Sequence, residues 1–192
     1  MATNIIAEFC QNHNGNVDVL NSMILEAKQS GASHAKIQGL YSSELTKRSE
    51  FELESQDEDS LLRPYQAEFD RLAKLDLTLE TESHFVEECK KSGIIPMTTV
   101  FTHLGLERAL KAGFKNFKIA SYDCASIPLI KRLLPHAETL IISTGATHFD
   151  EIEELVRLNK NASDFNDQYN ELAHLIGGES KLLDQLFTVE SK

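Results

Sequence analysis

The sequence contains no tryptophan, only three cysteines and fewer basic than acidic residues, 19 against 30. The cysteines (Cys10, Cys89 and Cys124) are isolated and lack Cys-x-x-Cys spacing, which indicates reduced thiols and argues against a disulfide framework or a zinc site. The formal net charge of -11 argues against nucleic acid or an anionic membrane as a partner, because both attract clustered cations. A negatively charged ligand would therefore need a few local cations.

Hydrophobic runs are also short, and none approaches the ~20 residues of a membrane helix. The first residues carry no basic stretch ahead of an apolar one, so we expect no secretory signal and a cytoplasmic protein. The length of 192 residues and the hydrophobic fraction of 41% fit a single domain over residues 1–192. The same length is short for a complete (β/α)8 barrel, which needs about 250 residues.

Short apolar runs alternate with amphipathic patterns along most of the chain. Residues 4–9, 33–38, 94–100, 117–121 and 139–145 are predicted strands, and residues 17–30, 65–75, 81–92, 104–112, 127–134 and 151–158 are predicted helices. Asn16 and Asp150 are predicted N-caps. Strands that are apolar on both faces and alternate with helices indicate a parallel sheet with the helices outside.

Two segments depart from this alternation. Residues 41–63 carry a dense acidic stretch and are predicted to be a solvated loop insertion, with a lid over a site as the alternative. Residues 160–192 form a divergent C-terminal tail that includes an apparent helix over 169–176. The last apolar run of this tail is compatible with either a strand or an amphipathic helix.

Every predicted strand ends in polar or ionisable side chains. Because parallel strands end at the same face of an α/β array, these residues are predicted to converge on one mouth. Two lysines beside hydroxyl donors suit a ligand with a phosphate and a carboxylate, and a glutamate there would be a base or an acceptor for a polar co-substrate. The alternative is a set of polar strand caps that meet solvent. The residues are Glu8, Lys36, Gln38, Thr98, Thr99, Lys118, Ser121, Ser143 and Thr144.

The same strand ends carry motifs that resemble the sialic acid synthase family. Residues 7–15 (AEFCQNHNG) are similar to its AEIGxNHxG opening, residues 35–38 (AKIQ) to VKFQ and residues 97–101 (MTTVF) to STPF. Residues 118–123 (KIASYD) resemble KIASGD, and residues 142–146 (ISTGA) resemble LSTGM. Five such motifs in order, each on a strand end, make the resemblance specific over about residues 4–158.

The resemblance implies a (β/α) barrel that is partial here, with five to six parallel strands and outer helices. It also implies condensation of phosphoenolpyruvate with an N-acyl hexosamine such as N-acetylmannosamine, with release of phosphate, in carbohydrate biosynthesis. The C3 carbon of phosphoenolpyruvate attacks the sugar aldehyde, water adds at C2, and phosphate is lost. Family members use a divalent metal (Mn²⁺ or Mg²⁺) and act as dimers, so a homodimer is an implied assembly.

Position by position, the resemblance assigns roles to individual residues. Glu8 matches the glutamate near the amino sugar and the reacting centre, and Asn12 and His13 match a pair that shapes the first loop. The residues that match phosphoenolpyruvate ligands are Lys36, Gln38, Thr99, Lys118, Ser121 and Ser143. Departures from the motifs are Gly39 for threonine, Val100 for proline, Tyr122 for glycine and Ala146 for methionine. Tyr122 is expected to narrow the mouth or to change the preference for the sugar.

The family's metal ligands have no counterpart in this sequence. They are histidines in strand motifs such as LLHC and SDHT, and neither motif occurs, so no metal ligand is assigned. Residues 175–189 loosely resemble the family's last strand region, LGAxxIERHFTL, and an unrelated amphipathic helix is the alternative.

Three hypotheses follow. The first is an enzyme of the sialic acid synthase type. The second is a non-catalytic homologue that binds phosphoenolpyruvate-like ligands or assembles with a partner chain. The third is a related synthase that makes a different 2-keto-3-deoxy sugar acid.

Overall fold

A computed structural model describes residues 3–52, 62–145, 147–158 and 186–190. Its strands are β1 (Ile6–Cys10), β2 (His34–Gly39), β3 (Ile95–Val100), β4 (Asn116–Ile119), β5 (Thr139–Ser143) and β6 (Leu186–Glu190). Its helices are α1 (Val17–Gln29), α2 (Tyr65–Ala73), α3 (Leu79–Ser92), α4 (His103–Ala112), α5 (Ile127–Leu133) and α6 (Phe149–Leu158). None of these described helices combines the length and apolar character needed to cross a membrane.

The six strands form one sheet in the order β1-β2-β3-β4-β5-β6. The first five pair in parallel with their sequence neighbours, and a helix precedes each new strand, as in an arc of a (β/α) barrel. The fold class predicted from the sequence is therefore confirmed. The five parallel strands lie within the predicted range of five to six, and the sixth strand of the sheet, β6, pairs antiparallel with β5, Thr139 opposite Glu190. The rest of the predicted tail, residues 160–185 and 191–192, lies outside the described residues, and so does its predicted helix over 169–176.

Local capping interactions define where the helices begin. The Oδ1 atom of Asn16 accepts the backbone N–H groups of Asp18 at 2.8 Å and Val19 at 3.2 Å, which confirms the predicted cap of α1. The predicted cap at Asp150 is wrong. The α6 helix begins at Phe149, one residue before the predicted cap. The Glu151 carboxylate accepts the backbone N–H of His148 at 2.8 Å, so a side chain of the first turn pairs a backbone N–H group just before the helix.

The two faces of the sheet differ in character, although the sequence predicted strands that are apolar on both. One face packs against the helices through residues of the main hydrophobic core: Ala35, Ile37, Val100, Phe117, Ile119, Leu140 and Ile142. Side chains alternate along each strand, so the residues between these belong to the opposite face. That face mixes Met97 and Ile141 with Lys36, Gln38, Thr99, Lys118 and Ser143, and we call it the polar face.

The first loop, residues 11–16, packs tightly against the end of α2. Gly15 has a φ of +71°, and a Cβ atom placed there would lie 2.6 Å from the backbone oxygen of Lys74. Only glycine meets both conditions, because other residues strain at positive φ and carry a Cβ. The loop that follows β1 is thus held to the segment that precedes α3.

Replacing Gly15 with alanine is therefore expected to destabilise the protein more than replacing Gly31. Gly31 also has a positive φ, +85°, but a Cβ there meets no atom within 4 Å, so Gly31→Ala reports the backbone strain of about 1–2 kcal/mol. Gly15→Ala adds a clash with Lys74 and is expected to cost at least about 1 kcal/mol more. Urea denaturation of both variants measures the difference, and equal losses would contradict the proposed clash.

Candidate active site

Lys36 lies at the centre of the polar face. Its side chain is nearly fully buried, with 4% of the residue exposed. The ammonium group forms an ion pair with Glu8 on β1 and donates to the Thr99 hydroxyl on β3 at 3.0 Å. Burial of an ammonium group is costly unless it is paired and hydrogen-bonded, and these two partners supply that compensation. Three of the residues predicted for the site are thus in direct contact.

A second row of predicted residues lies one step further along the strands. Gln38 on β2 is in register with Thr99, and Thr99 is in register with Lys118 on β4. Thr99 therefore contacts Lys36 through its side chain and lies between Gln38 and Lys118 in the sheet. Neighbouring strands are roughly 4.8 Å apart, so the two lysines belong to one small region.

The Glu8 carboxylate is held from two sides. Its Oε2 atom pairs with Lys36, and its Oε1 atom accepts the backbone N–H of Cys10 at 2.9 Å. The second contact depends on a β-bulge, because the register between β1 and β2 shifts between Glu8 and Cys10. At this bulge Cys10 has a φ of +52°. The Glu8 side chain remains 45% exposed, so it faces both the buried lysine and solvent.

Cys10 is a residue that the sequence analysis did not single out for the site. The signal was present, because the family motif AEIGxNHxG has glycine where this chain has Cys10. Glycine adopts positive φ without strain, whereas a side chain with a Cβ does not. The backbone N–H of Cys10 thus positions Glu8 at a strained point of the chain.

Substitutions at Cys10 should separate the effect of backbone strain at positive φ from the effect of the side chain. Cys10→Gly is expected to keep the bulge and leave the free energy of unfolding within about 1 kcal/mol of the parent, because relief of strain offsets the added freedom of the unfolded chain. Cys10→Val is expected to destabilise by at least about 1 kcal/mol more than Cys10→Gly, because a β-branched residue resists positive φ. Denaturant unfolding measures both, and a valine variant as stable as the glycine variant would contradict this role.

The remaining predicted residues lie around this centre. Ser143 is the last residue of β5 and is buried, and Ser121 begins a short 3-10 helix (Ser121–Asp123) directly after β4 and is half-buried. Their place in the site rests on their position at the ends of β4 and β5. Asn12 is exposed in the first loop, where its backbone N–H donates to the Phe9 carbonyl at 2.9 Å.

His13 is buried and forms hydrogen bonds within the same loop. Its Nδ1 atom accepts the backbone N–H of Gly15 at 3.1 Å, and its own carbonyl accepts the N–H of Asn16 at 2.9 Å. An accepting Nδ1 requires an unprotonated ring nitrogen, and burial lowers the pKa of His13 below its ordinary value. These contacts are those of a residue that shapes the loop.

Stability is expected to fall as the pH drops from 7.5 to 5.5. Burial lowers the pKa of His13 and of His34. Below pH ~6.5 the unfolded chain therefore binds more protons at these histidines than the folded chain does, which favours unfolding. Each group contributes a loss of up to about 1.4 kcal/mol per pH unit. His13→Asn retains an acceptor for Gly15 and should flatten this dependence in pH-dependent urea denaturation. The same substitution at the exposed His103 is the control, and an identical slope in both variants would contradict the assignment to His13.

A separate polar cluster connects the helices behind the site. The carboxylate of Glu82 on α3 accepts the Tyr41 hydroxyl at 2.5 Å and the Arg108 Nε–H at 2.7 Å. Burial raises the pKa of Glu82 and of the Tyr41 phenol. Arg108 also lies over the Tyr41 ring at 4.3 Å and donates to the Leu77 carbonyl. Because these groups satisfy one another, the cluster fastens α3 and α4 to the end of β2.

No metal site accompanies this arrangement among the described residues. No group of three or more His, Cys, Asp or Glu side chains in this part of the chain could hold a metal ion. Glu8, the carboxylate in contact with Lys36, is already paired with that lysine. The residues that the structure describes therefore do not fit a divalent cation at this face.

Comparison with known proteins places this geometry in a family. The profile of the NeuB family matches residues 23–170. The chain belongs to the NeuB family. The resemblance inferred from the motifs is thereby confirmed, although the matched stretch begins within α1 and leaves β1 and Glu8 before it.

Two curated relatives show the extent of the similarity. The chain is 28% identical over 160 residues to the N,N'-diacetyllegionaminic acid synthase of Campylobacter jejuni, covering 81% of this chain and 46% of that protein. It is 24% identical over 163 residues to the N-acetylneuraminate-9-phosphate synthase of Mus musculus, covering 81% of this chain and 43% of that protein. The chain thus spans less than half of the length of these relatives.

A solved structure agrees in fold. The N-acetylneuraminic acid synthetase of Leptospira borgpetersenii superposes with a TM-score of 0.69 at 24% identity, over 84% of this chain and 51% of that chain. At this identity the superposition supports the α/β fold alone. The chain spans about half of the length of that protein.

Proposed function

We propose that the polar face of β1–β5 binds phosphoenolpyruvate and serves its condensation with an N-acyl hexosamine such as N-acetylmannosamine, with release of phosphate. Membership in the NeuB family supports the reaction class. The observation that carries the proposal is the buried Lys36, which contacts Glu8 and Thr99, with Lys118 in register with Thr99 on the next strand. A buried ammonium on a strand is rare unless it is paired or functional.

The arrangement suits a ligand with two anionic groups. Lys36 has three N–H donors, and its contacts with Glu8 and Thr99 leave one for a ligand oxygen. Lys118 adds a second ammonium group on the same face, and Ser143 is a buried hydroxyl on the neighbouring strand. Phosphoenolpyruvate carries a carboxylate and a phosphate, and charge-assisted hydrogen bonds to both explain how an acidic protein would capture it.

In the proposed reaction, the C3 carbon of phosphoenolpyruvate forms a bond to the aldehyde carbon of the sugar, and the aldehyde oxygen gains a proton. Water adds at C2, and the resulting tetrahedral intermediate loses phosphate to leave a 2-keto acid. Glu8 is placed to accept a hydrogen bond from the co-substrate, because it is partly exposed while its Oε1 atom is held by the Cys10 N–H. Anion binding at Lys36 would weaken the Lys36–Glu8 pair and release the carboxylate for this role.

A second candidate function is binding of phosphoenolpyruvate or a similar anion without catalysis. Nonulosonate synthases use a divalent metal, and the described residues of this chain hold no group that could bind one. Both functions require the two lysines, so turnover distinguishes them and ligand affinity does not.

Lys118→Met is expected to weaken phosphoenolpyruvate binding by roughly 1.5–3 kcal/mol, because a charge-assisted hydrogen bond is lost. Lys36→Met should behave in the same way. Lys115→Met is the matched control. It removes the same charge from an exposed position just before β4, at the N-terminal end of the strand and so away from the site. Isothermal titration calorimetry measures the affinities. Equal affinity in the parent and both site variants would contradict the proposed site.

Glu8→Gln distinguishes catalysis from binding. The substitution removes a negative charge beside Lys36, so it should retain phosphoenolpyruvate affinity. It should reduce phosphate release from phosphoenolpyruvate, N-acetylmannosamine and Mn²⁺ at least tenfold if Glu8 acts on the co-substrate. Parent protein that binds phosphoenolpyruvate but releases no phosphate would support the second candidate and exclude catalysis by this chain.

A further inference from the structure

Tyr122 is a large side chain in an unusual position. It follows Ser121 at the C-terminal end of β4, and it is 81% exposed. Apolar rings are usually buried, and an exposed ring that is fixed by a polar contact is suited to contacting a ligand. The family motif has glycine at this position, so the ring is an addition made by this chain.

The Tyr122 ring is fixed by a residue from a distant loop. Its hydroxyl accepts a hydrogen bond from Nη2 of Arg48 at 3.2 Å, and the two residues are 74 positions apart in the chain. The Arg48 guanidinium also lies 5.8 Å from the centre of the Phe51 ring. We call this contact the Arg48–Tyr122 bridge.

The loop that carries Arg48 is itself anchored. Near its start, the hydroxyl of Ser42 donates to Asp76 at 2.5 Å, and the Thr102 hydroxyl donates to Glu44 at 2.8 Å. At its end, Glu52 accepts the backbone N–H of Tyr65 at 2.7 Å. Arg48 therefore extends from a loop that is attached on both sides, so the bridge is a defined feature of the rim.

The bridge joins the loops that follow β2 and β4. Arg48 belongs to the loop after β2 and Tyr122 to the loop after β4, so the contact spans the end of β3, over a distance of roughly 10 Å between the outer strands. These three strands carry Lys36, Gln38, Thr99 and Lys118. In the proposed function, a second substrate that reaches the bound ligand from the carboxyl ends of these strands would pass the loops that the bridge joins.

We propose that the Arg48–Tyr122 bridge sets the size limit of the amino-sugar end of the site, so that the chain prefers hexosamines with one N-acyl group over those with two. The inference rests on the proposed function, because it assumes a sugar co-substrate above bound phosphoenolpyruvate. A second acyl group adds several non-hydrogen atoms, and the tyrosine ring takes up space that glycine would leave open. Specificity here arises from exclusion of the larger substrate.

The test compares two sugars on protein that is saturated with phosphoenolpyruvate. Calorimetry gives the affinity ratio of N-acetylmannosamine to a 2,4-di-N-acetyl hexosamine. Tyr122→Gly is expected to shift this ratio at least tenfold toward the larger sugar, and Tyr122→Phe, which keeps the ring but loses the bond to Arg48, should shift it less. Phe149→Ala is the matched control, because it removes another exposed ring just after β5.

Three results would overturn the inference. An unchanged ratio in Tyr122→Gly would reject the size limit while leaving the proposed function intact. Binding of phosphoenolpyruvate without binding of either sugar would also reject it and would favour the non-catalytic candidate. Absence of phosphoenolpyruvate binding in the parent protein would reject the inference together with the proposed function. Because Tyr122 is exposed, its variants should fold, and a thermal melt of each checks this.

Discussion

The burial of one ammonium group constrains the whole polar face. Lys36 lies on the second strand of the sheet, and its charge is tolerated because Glu8 comes from the first strand and Thr99 from the third. These contacts form only when β1, β2 and β3 pair in the observed register. The bulge at Cys10 follows from the same requirement, since it turns a backbone N–H toward the Glu8 carboxylate. The geometry of the first loop is therefore coupled to the charge of Lys36.

Because side chains alternate along each strand, the residues that stabilise the core and the residues proposed for the site lie on opposite faces of the sheet. Helix-facing positions such as Ile37 and Phe117 are fully buried in the main core, and the positions between them carry lysines, hydroxyls and an amide. The core can hold the sheet together while the opposite face varies in polarity. This separation also reconciles a net charge of -11 with a proposed anionic ligand. In the proposed function, capture depends on the local field of Lys36 and Lys118. The charge of the remaining surface acts at longer range, where salt screens it.

Much of this arrangement could be predicted from the sequence, because periodicity and polar strand ends are local signals. The five parallel strands, the cap at Asn16 and the family follow from such patterns. Other features depend on contacts between distant residues. The antiparallel pairing of β6 could not be predicted, because a short apolar run does not indicate the direction of a strand. The Arg48–Tyr122 bridge was hidden because nothing in an acidic segment indicates which cation meets a tyrosine 74 positions later.

The anchoring of the loop after β2 has a consequence for how this chain can vary. The Phe51 carbonyl accepts the backbone N–H of Arg63 at 3.1 Å, and Glu52 accepts that of Tyr65, so the chain closes on itself between these points. The entropic cost of closing such a loop changes only slowly with its length. The two hydrogen bonds that hold Arg63 and Tyr65 beside Phe51 and Glu52 are therefore expected to tolerate a change in the number of residues that join them. The positions of Arg48 and of the start of α2 then depend on these closing contacts and on the anchors of Ser42 and Glu44.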